Sequence, residues 1–169
     1  MTARILGVDL GERRIGLAIA DTAIGIARPL GTVNRGEDLE HDAAALERVC
    51  REQDVGELVV GLPVEAAGQE GTMAAAARLW ATEMGTRLGR PVTMHDERLS
   101  SFEAERRLGR MPRGRSGGPP SRTQRNAFRA RIDREAASII LQDELDARRG
   151  STERGTMAAW RPADSTEER

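Results

Sequence analysis

The apolar positions of the chain first follow a strand period and later a helix period. Residues 3–10 (Ala-Arg-Ile-Leu-Gly-Val-Asp-Leu) read as a buried strand ending in a turn at Gly11. In residues 14–21, Ile15, Leu17 and Ile19 alternate with Gly16, Ala18 and Ala20, which predicts a second strand joined to the first by a short hairpin. A third strand over 27–34 belongs at a sheet edge, because Pro29 has no N–H for a ladder bond. The period then lengthens. Leu39, Ala43, Leu46 and Val49/Cys50 place a helix over 38–53. A short apolar strand, 57–62, stops at Pro63, and an alanine-rich helix over 71–88 is expected to turn Ala75, Leu79, Met84 and Leu88 inward. Another strand covers 91–95. Ser100-Ser101-Phe102-Glu103 has capping-box spacing and starts a helix running to Leu108. The last helix, 130–148, carries Ile132, Ala136, Ile139/Ile140 and Leu145 on its apolar stripe. Two segments resist assignment. Residues 109–129, rich in glycine, proline and arginine, are expected to form a mobile loop, and the polar residues 150–169 a disordered tail.

A hairpin-led sheet followed by strand–helix alternation implies an α/β fold with a five-stranded mixed sheet flanked by helices. The 169 residues suit one domain, here 1–149, followed by the tail. With 38% hydrophobic and 31% charged residues, a modest core is affordable. No apolar run reaches membrane-spanning length, and the start of the chain lacks the apolar region of a secretory signal. A lone cysteine, Cys50, excludes an intramolecular disulfide and a cysteine metal cluster. A cytoplasmic location is the expectation.

Acidic residues fall where these elements end. Asp9 closes the first strand among apolar neighbours, where a carboxylate is costly without a partner, although it could simply form the turn at Gly11. Asp96-Glu97 follow the strand 91–95, and could instead cap the helix that begins at Ser100. Asp133 lies beside the buried stripe of the last helix, whose small Ala136 and Ala137 would let it approach the sheet closely. Three acidic positions far apart in sequence, each where an element meets one end of the sheet, suggest a common pocket. Clustered carboxylates need a cation, and hard oxygen ligands suit Mg²⁺ or Mn²⁺. Two such ions can activate a water and stabilise a leaving oxygen in phosphodiester hydrolysis.

Five blocks, Gly7-Val-Asp-Leu-Gly11, Arg14-Ile-Gly-Leu-Ala18, Val60-Gly-Leu-Pro63, His95-Asp-Glu-Arg-Leu-Ser100 and Ile132-Asp-Arg-Glu-Ala-Ala137, resemble in order and spacing the YqgF/RuvX family. Its members are described as pre-16S rRNA nucleases and as Holliday-junction-resolvase-like, with an RNase H fold. The resemblance runs from about residue 4 to 146. It implies a bacterial cytoplasmic hydrolase trimming the 5′ end of the small-subunit ribosomal RNA precursor, with Asp9, Glu97 and Asp133 as catalytic, metal-binding acids. Asp9 would bridge two ions, with Glu97 and Asp133 each holding one. Asp96 is the alternative to Glu97, since neighbours on an extended segment point oppositely. Ser101 stands where the family commonly has threonine. Loop 109–129 is longer than the family's basic connection. Ala136 stands where related resolvases carry a further acid.

The net charge of -1 argues at first against a nucleic-acid partner. Divided along the chain, however, it is -6 over 1–97, +8 over 98–134 and -3 over 135–169. The basic block lies between Glu97 and Asp133, and every basic residue in it is arginine, a planar fork suited to phosphate. Arg113, Arg115, Arg122 and Arg125 are the candidate nucleic-acid contacts, while Arg14 and Arg98 could hold either phosphate or the carboxylates. Only Phe102 and Phe128 interleave aromatics, so backbone and shape recognition are expected over base stacking. His95, on the same face as Glu97, is expected to be a packed or hydrogen-bonded side chain. The readings that follow are a metal-dependent nuclease for ribosomal RNA precursors, a DNA junction resolvase, and a non-catalytic RNA-binding assembly factor. Asp-Leu-Gly-x-x-Arg also resembles the first phosphate loop of sugar-kinase and actin-type ATPases, but the chain is too short for their two lobes.

Overall fold

The computed structural model describes residues 3–63, 71–97, 100–113 and 118–159, with side chains as far as residue 151. Strands β1 (Arg4–Leu10), β2 (Arg14–Asp21) and β3 (Ala27–Asn34) form an antiparallel meander. Helix α1 (Leu39–Gln53) then crosses to β4 (Val55–Leu62), and α2 (Thr72–Leu88) to β5 (Val92–Asp96), both strands adding in parallel beyond β1. Parallel neighbours need such crossovers, whereas the hairpins do not. The strand order β3-β2-β1-β4-β5 gives the mixed five-stranded sheet that the sequence predicts. β3 is an edge strand, and Pro29 sits at an irregularity in its pairing. Helices α3 (Ser100–Leu108) and α4 (Arg122–Ala159) complete the order.

The two faces of the sheet are packed differently. On one, Leu6, Val8, Leu17 and Val60 meet Leu46 of α1 and Trp80 and Met84 of α2 in the larger core. On the other, Ile5, Ala18, Ala20 and Val59 meet Ala137, Ile140 and Leu141 of α4. Small residues line this second face. A Cβ on Gly7 would stand 2.7 Å from the Leu141 Cβ and 2.9 Å from the Ala137 carbonyl oxygen. The close approach of α4 anticipated from Ala136 and Ala137 is present, both residues being fully buried.

A buried carboxylate braces the first face. Asp42, 1% exposed, accepts the Trp80 indole N–H at 2.9 Å and the Gly36 amide at 2.8 Å. Its charge is matched by Arg35, which also donates to the Gly11 carbonyl, tying the entry of α1 to the turn after β1.

Four expectations change. The inward face of α2 is Ala74, Ala77, Trp80, Ala81, Met84 and Leu88, whereas Ala75 and Leu79 are exposed. The indole's bond to Asp42 selects this face, and a run of alanines offers no competing stripe. Helix α4 begins at Arg122, inside the segment read as loop 109–129, because Ser121 and Gln124 form a reciprocal capping box. Ser100, read as such a cap, is instead the first helical residue of α3, with its amide bonded to the Glu97 carbonyl. Helix α4 also continues through Ala159, ten residues into the segment read as tail; Glu144–Arg148 and Asp146–Arg149 pairs support the turns that lead there. Residues 160–169 lie outside the described residues.

Candidate active site

Asp9 lies one residue before the end of β1, paired across the ladder with Gly16 of β2. A side chain at Gly16 would collide with the main-chain carbonyl of Asp133, so the glycine is what lets α4 cross β2 at this point. The crossing carries Asp133 into the neighbourhood of Asp9. Burial, and then the charge of Asp133, push the Asp9 carboxyl up to about 7.

Glu97 follows β5 directly. Its amide donates to the Leu62 carbonyl at 3.1 Å, continuing the parallel β4–β5 pairing by one bond. The carboxylate is laid over Gly61, where any Cβ would collide with Oε2 and approach Ile140 Cδ1 to 2.7 Å. Burial, then the charges of Asp9 and Asp96, push Glu97 up to about 8. Its Oε2 is buried with no hydrogen-bond partner among the described residues. Asp96, the neighbouring candidate, ends β5 and is exposed.

Asp133 is held by Arg14, the first residue of β2, whose Nε donates to Oδ2 at 2.7 Å. Of the two roles foreseen for Arg14, this structure shows the grip on a carboxylate. Gly11, Glu12, Arg13, Arg14, Arg129 and Asp133 line a cleft of about 390 Å³ there. The three acids are thus coupled in series, Glu97 to Asp9 and Asp9 to Asp133, at one end of the sheet. As they stand, no three His, Cys, Asp or Glu side chains among the described residues form a group that could hold a metal ion. The donor set nevertheless fits a hard cation. Two half-buried carboxyl groups have raised proton affinity, that of Glu97 partly through the charge of Asp9; Glu97 Oε2 has no partner among the described residues, and Asp133 becomes available on leaving Arg14.

The remaining candidates are more peripheral. Arg113 is exposed in the segment after α3, and Arg122 and Arg125 are exposed on the first turns of α4, not in a loop. Arg98 and Arg115 lie outside the described residues. His95 is hydrogen-bonded through Nδ1 to Glu144 Oε2 at 2.9 Å. Glu144 also accepts from Arg148, and Arg148 holds Glu57 below the usual carboxylate range, so this group clamps α4 to β4 and β5. Sequence reasoning did not single out Gly16, Gly61 or Arg129. The two glycines carried a usable signal, since each interrupts an apolar strand where a close neighbour is the ordinary reason for one.

Residues 3–147 match the family model described as RuvX: Holliday junction resolvase. A protein of Anaeromyxobacter sp. strain Fw109-5, named "Putative pre-16S rRNA nuclease", is 47% identical over 86% of this chain and 98% of its own length. One of the same name from Chloroflexus aurantiacus is 42% identical over 89% of this chain and 91% of its own. Among solved structures, T. thermophilus RuvC in complex with a Holliday junction substrate aligns at 17% identity and a TM-score of 0.48, covering 88% of this chain and 97% of that one.

Proposed function

The chain belongs to the RuvX family, and from that premise and the carboxylate geometry we propose that it is a metal-dependent nuclease that processes the 5′ end of the 16S rRNA precursor in ribosome biogenesis. The observation that carries the chemistry is the pair Asp9 and Glu97, half-buried at one end of the sheet with raised proton affinity and with Glu97 Oε2 unpartnered among the described residues. Such a pair is poorly stable alone and is relieved by a divalent cation. Asp9, Glu97 and Asp133 would hold it on this reading, with Mg²⁺ or Mn²⁺ as the metal. Bound there, the metal would supply an activated water and charge stabilisation for the leaving oxygen.

The protein's own groups do the rest. Asp9, near the end of β1 and paired across the ladder with Gly16, and Glu97, laid over Gly61 just after β5, are placed by the sheet and would hold their oxygens with little reorganisation. Arg14 and Arg129 line the cleft at Asp133 and are placed to receive a phosphate. An incoming phosphate competes with Asp133 for Arg14, so seating the substrate frees the third acid. Arg98, Arg113, Arg115, Arg122 and Arg125 extend phosphate contact beyond the cleft in this proposal. On this reading the protein works in the cytoplasm as a monomer or homodimer.

A second reading, cleavage of four-way DNA junctions, is favoured by the family description. It requires two sites acting symmetrically and hence a dimer. Both readings are tested by incubating wild-type protein and its Asp9→Asn variant with a 16S precursor RNA and with a four-way DNA junction, with Mn²⁺ or with chelator. Metal-dependent cutting of the RNA by wild type alone supports the proposal. Cutting of the junction alone transfers the activity to DNA, and equal cutting by the variant rejects the carboxylate centre. Absence of any cutting supports the non-catalytic assembly factor.

A further inference from the structure

Helices α3 and α4 enclose a groove of about 580 Å³ that lies outside the carboxylate site. Its apolar lining includes Phe102, Phe128, Met111 and Ile132. Phe102 and Arg106 recur at one-turn spacing on α3, and Phe128, Arg129 and Ile132 likewise on α4, so two helix stripes face each other across it. Phe128 is 8% exposed and belongs to the floor, whereas Phe102 leaves 67% of its surface to solvent. The charged residues lining the groove are Arg106, Arg110 and Arg129 against the single acid Glu105. Arg129 lines this groove and also the cleft at Asp133.

We infer that this groove receives an unpaired nucleobase of the substrate, stacked on Phe102, with Arg129 holding the phosphate that leads from it to the carboxylate centre. The inference rests on the nuclease reading for its ligand class, but it names a site that reading does not need. The volume is within the range of about 300–1,000 Å³ usual for small-ligand sites. An apolar floor with a cationic rim complements a nucleotide, whose flat base is uncharged and whose phosphate is anionic. An apolar peptide would leave three guanidinium groups without partners. Stacking is sequence-tolerant, because every base has a π face, so Phe102 would select single-stranded character and not a particular base. The sequence offered only two aromatics in the basic block, and they are brought into one groove although 26 positions separate them.

The test uses the Asp9→Asn protein, expected to leave RNA uncut, with and without Phe102→Ala or Phe102→Leu. Phe102 is exposed, so neither change disturbs the core. Affinity is measured for a duplex with a short single-stranded extension, for the same duplex without it, and for the extension with abasic residues. The expected result is a loss of roughly tenfold for the extended RNA with Phe102→Ala, a similar loss with Phe102→Leu, which keeps apolar area but no π face, and less than twofold change for the blunt duplex. The abasic extension should bind all three proteins alike. Equal losses on every RNA, no loss on the extended RNA, or no RNA binding at all would overturn the assignment. Binding that follows the expected pattern while wild type fails to cleave would reject the nuclease reading and leave the groove standing.

Discussion

Asp9 and Glu97 bind protons more tightly in the folded protein than in the unfolded chain, where carboxyl groups titrate near about 4. The sign follows directly. Their contribution to stability is full below that range and is lost as pH rises through about 7 for Asp9 and about 8 for Glu97. Metal-free protein should therefore lose roughly 5 °C or more of Tm between about pH 5 and about pH 9, and Mn²⁺ should restore most at the alkaline end. Glu97→Gln should flatten the metal-free profile, and a wild-type profile already flat would contradict the desolvation of this pair. The glycines beneath the site give a second test at this scale. Gly61→Ala displaces the flexible end of Glu97 and should abolish cleavage with little change in Tm. Gly16→Ala confronts helix backbone and should cost about 1–3 kcal/mol in denaturant unfolding.

Elements were legible where one periodicity dominated. The alternation of Ile15, Leu17 and Ile19 with Gly16, Ala18 and Ala20 marks not only a strand but one buried on both faces, large residues toward α1 and α2 and small ones toward α4. Asp9 and Asp133 stood out because each acid adjoined an apolar stripe. The inward face of α2 was not legible, since alanines fill both candidate stripes and a tertiary bond, indole to Asp42, decides between them. The start of α4 was written in Ser121-Arg-Thr-Gln124 but obscured by the surrounding glycines, prolines and arginines. The carboxylate–arginine pairing at Arg14 was equally out of reach, because nothing local distinguishes its two roles. Asp42 tests the brace between α1 and α2: Asp42→Ala strands the Trp80 N–H and the Gly36 amide and should cost about 3 kcal/mol, read from urea unfolding. A change near zero would mean that water replaces the carboxylate.

At the scale of the whole molecule, charge is segregated although the total is nearly neutral, and the +8 stretch of 98–134 supplies both rims of the α3–α4 groove as well as Asp133 itself. Replacing Arg113, Arg115, Arg122 and Arg125 by glutamine should weaken RNA binding and reduce the slope of log K against log salt by roughly 3. An unchanged slope would remove these arginines from the interface. No helix among the described residues is long and apolar enough to cross a membrane. The seat of Asp133 over Gly16 has a further consequence for when the molecule can act. Arg14 and Asp133 are 119 residues apart, and their meeting requires that α4 be docked across a sheet already assembled from both its antiparallel and its parallel halves. Such distant closure is among the late and slow events of folding. A nascent or partly unfolded chain therefore carries the acids without the centre, and in rising denaturant its cutting should vanish together with the global transition. On the proposed function, competence to cleave RNA would in this sense be a proofread property, granted only to chains that have finished folding.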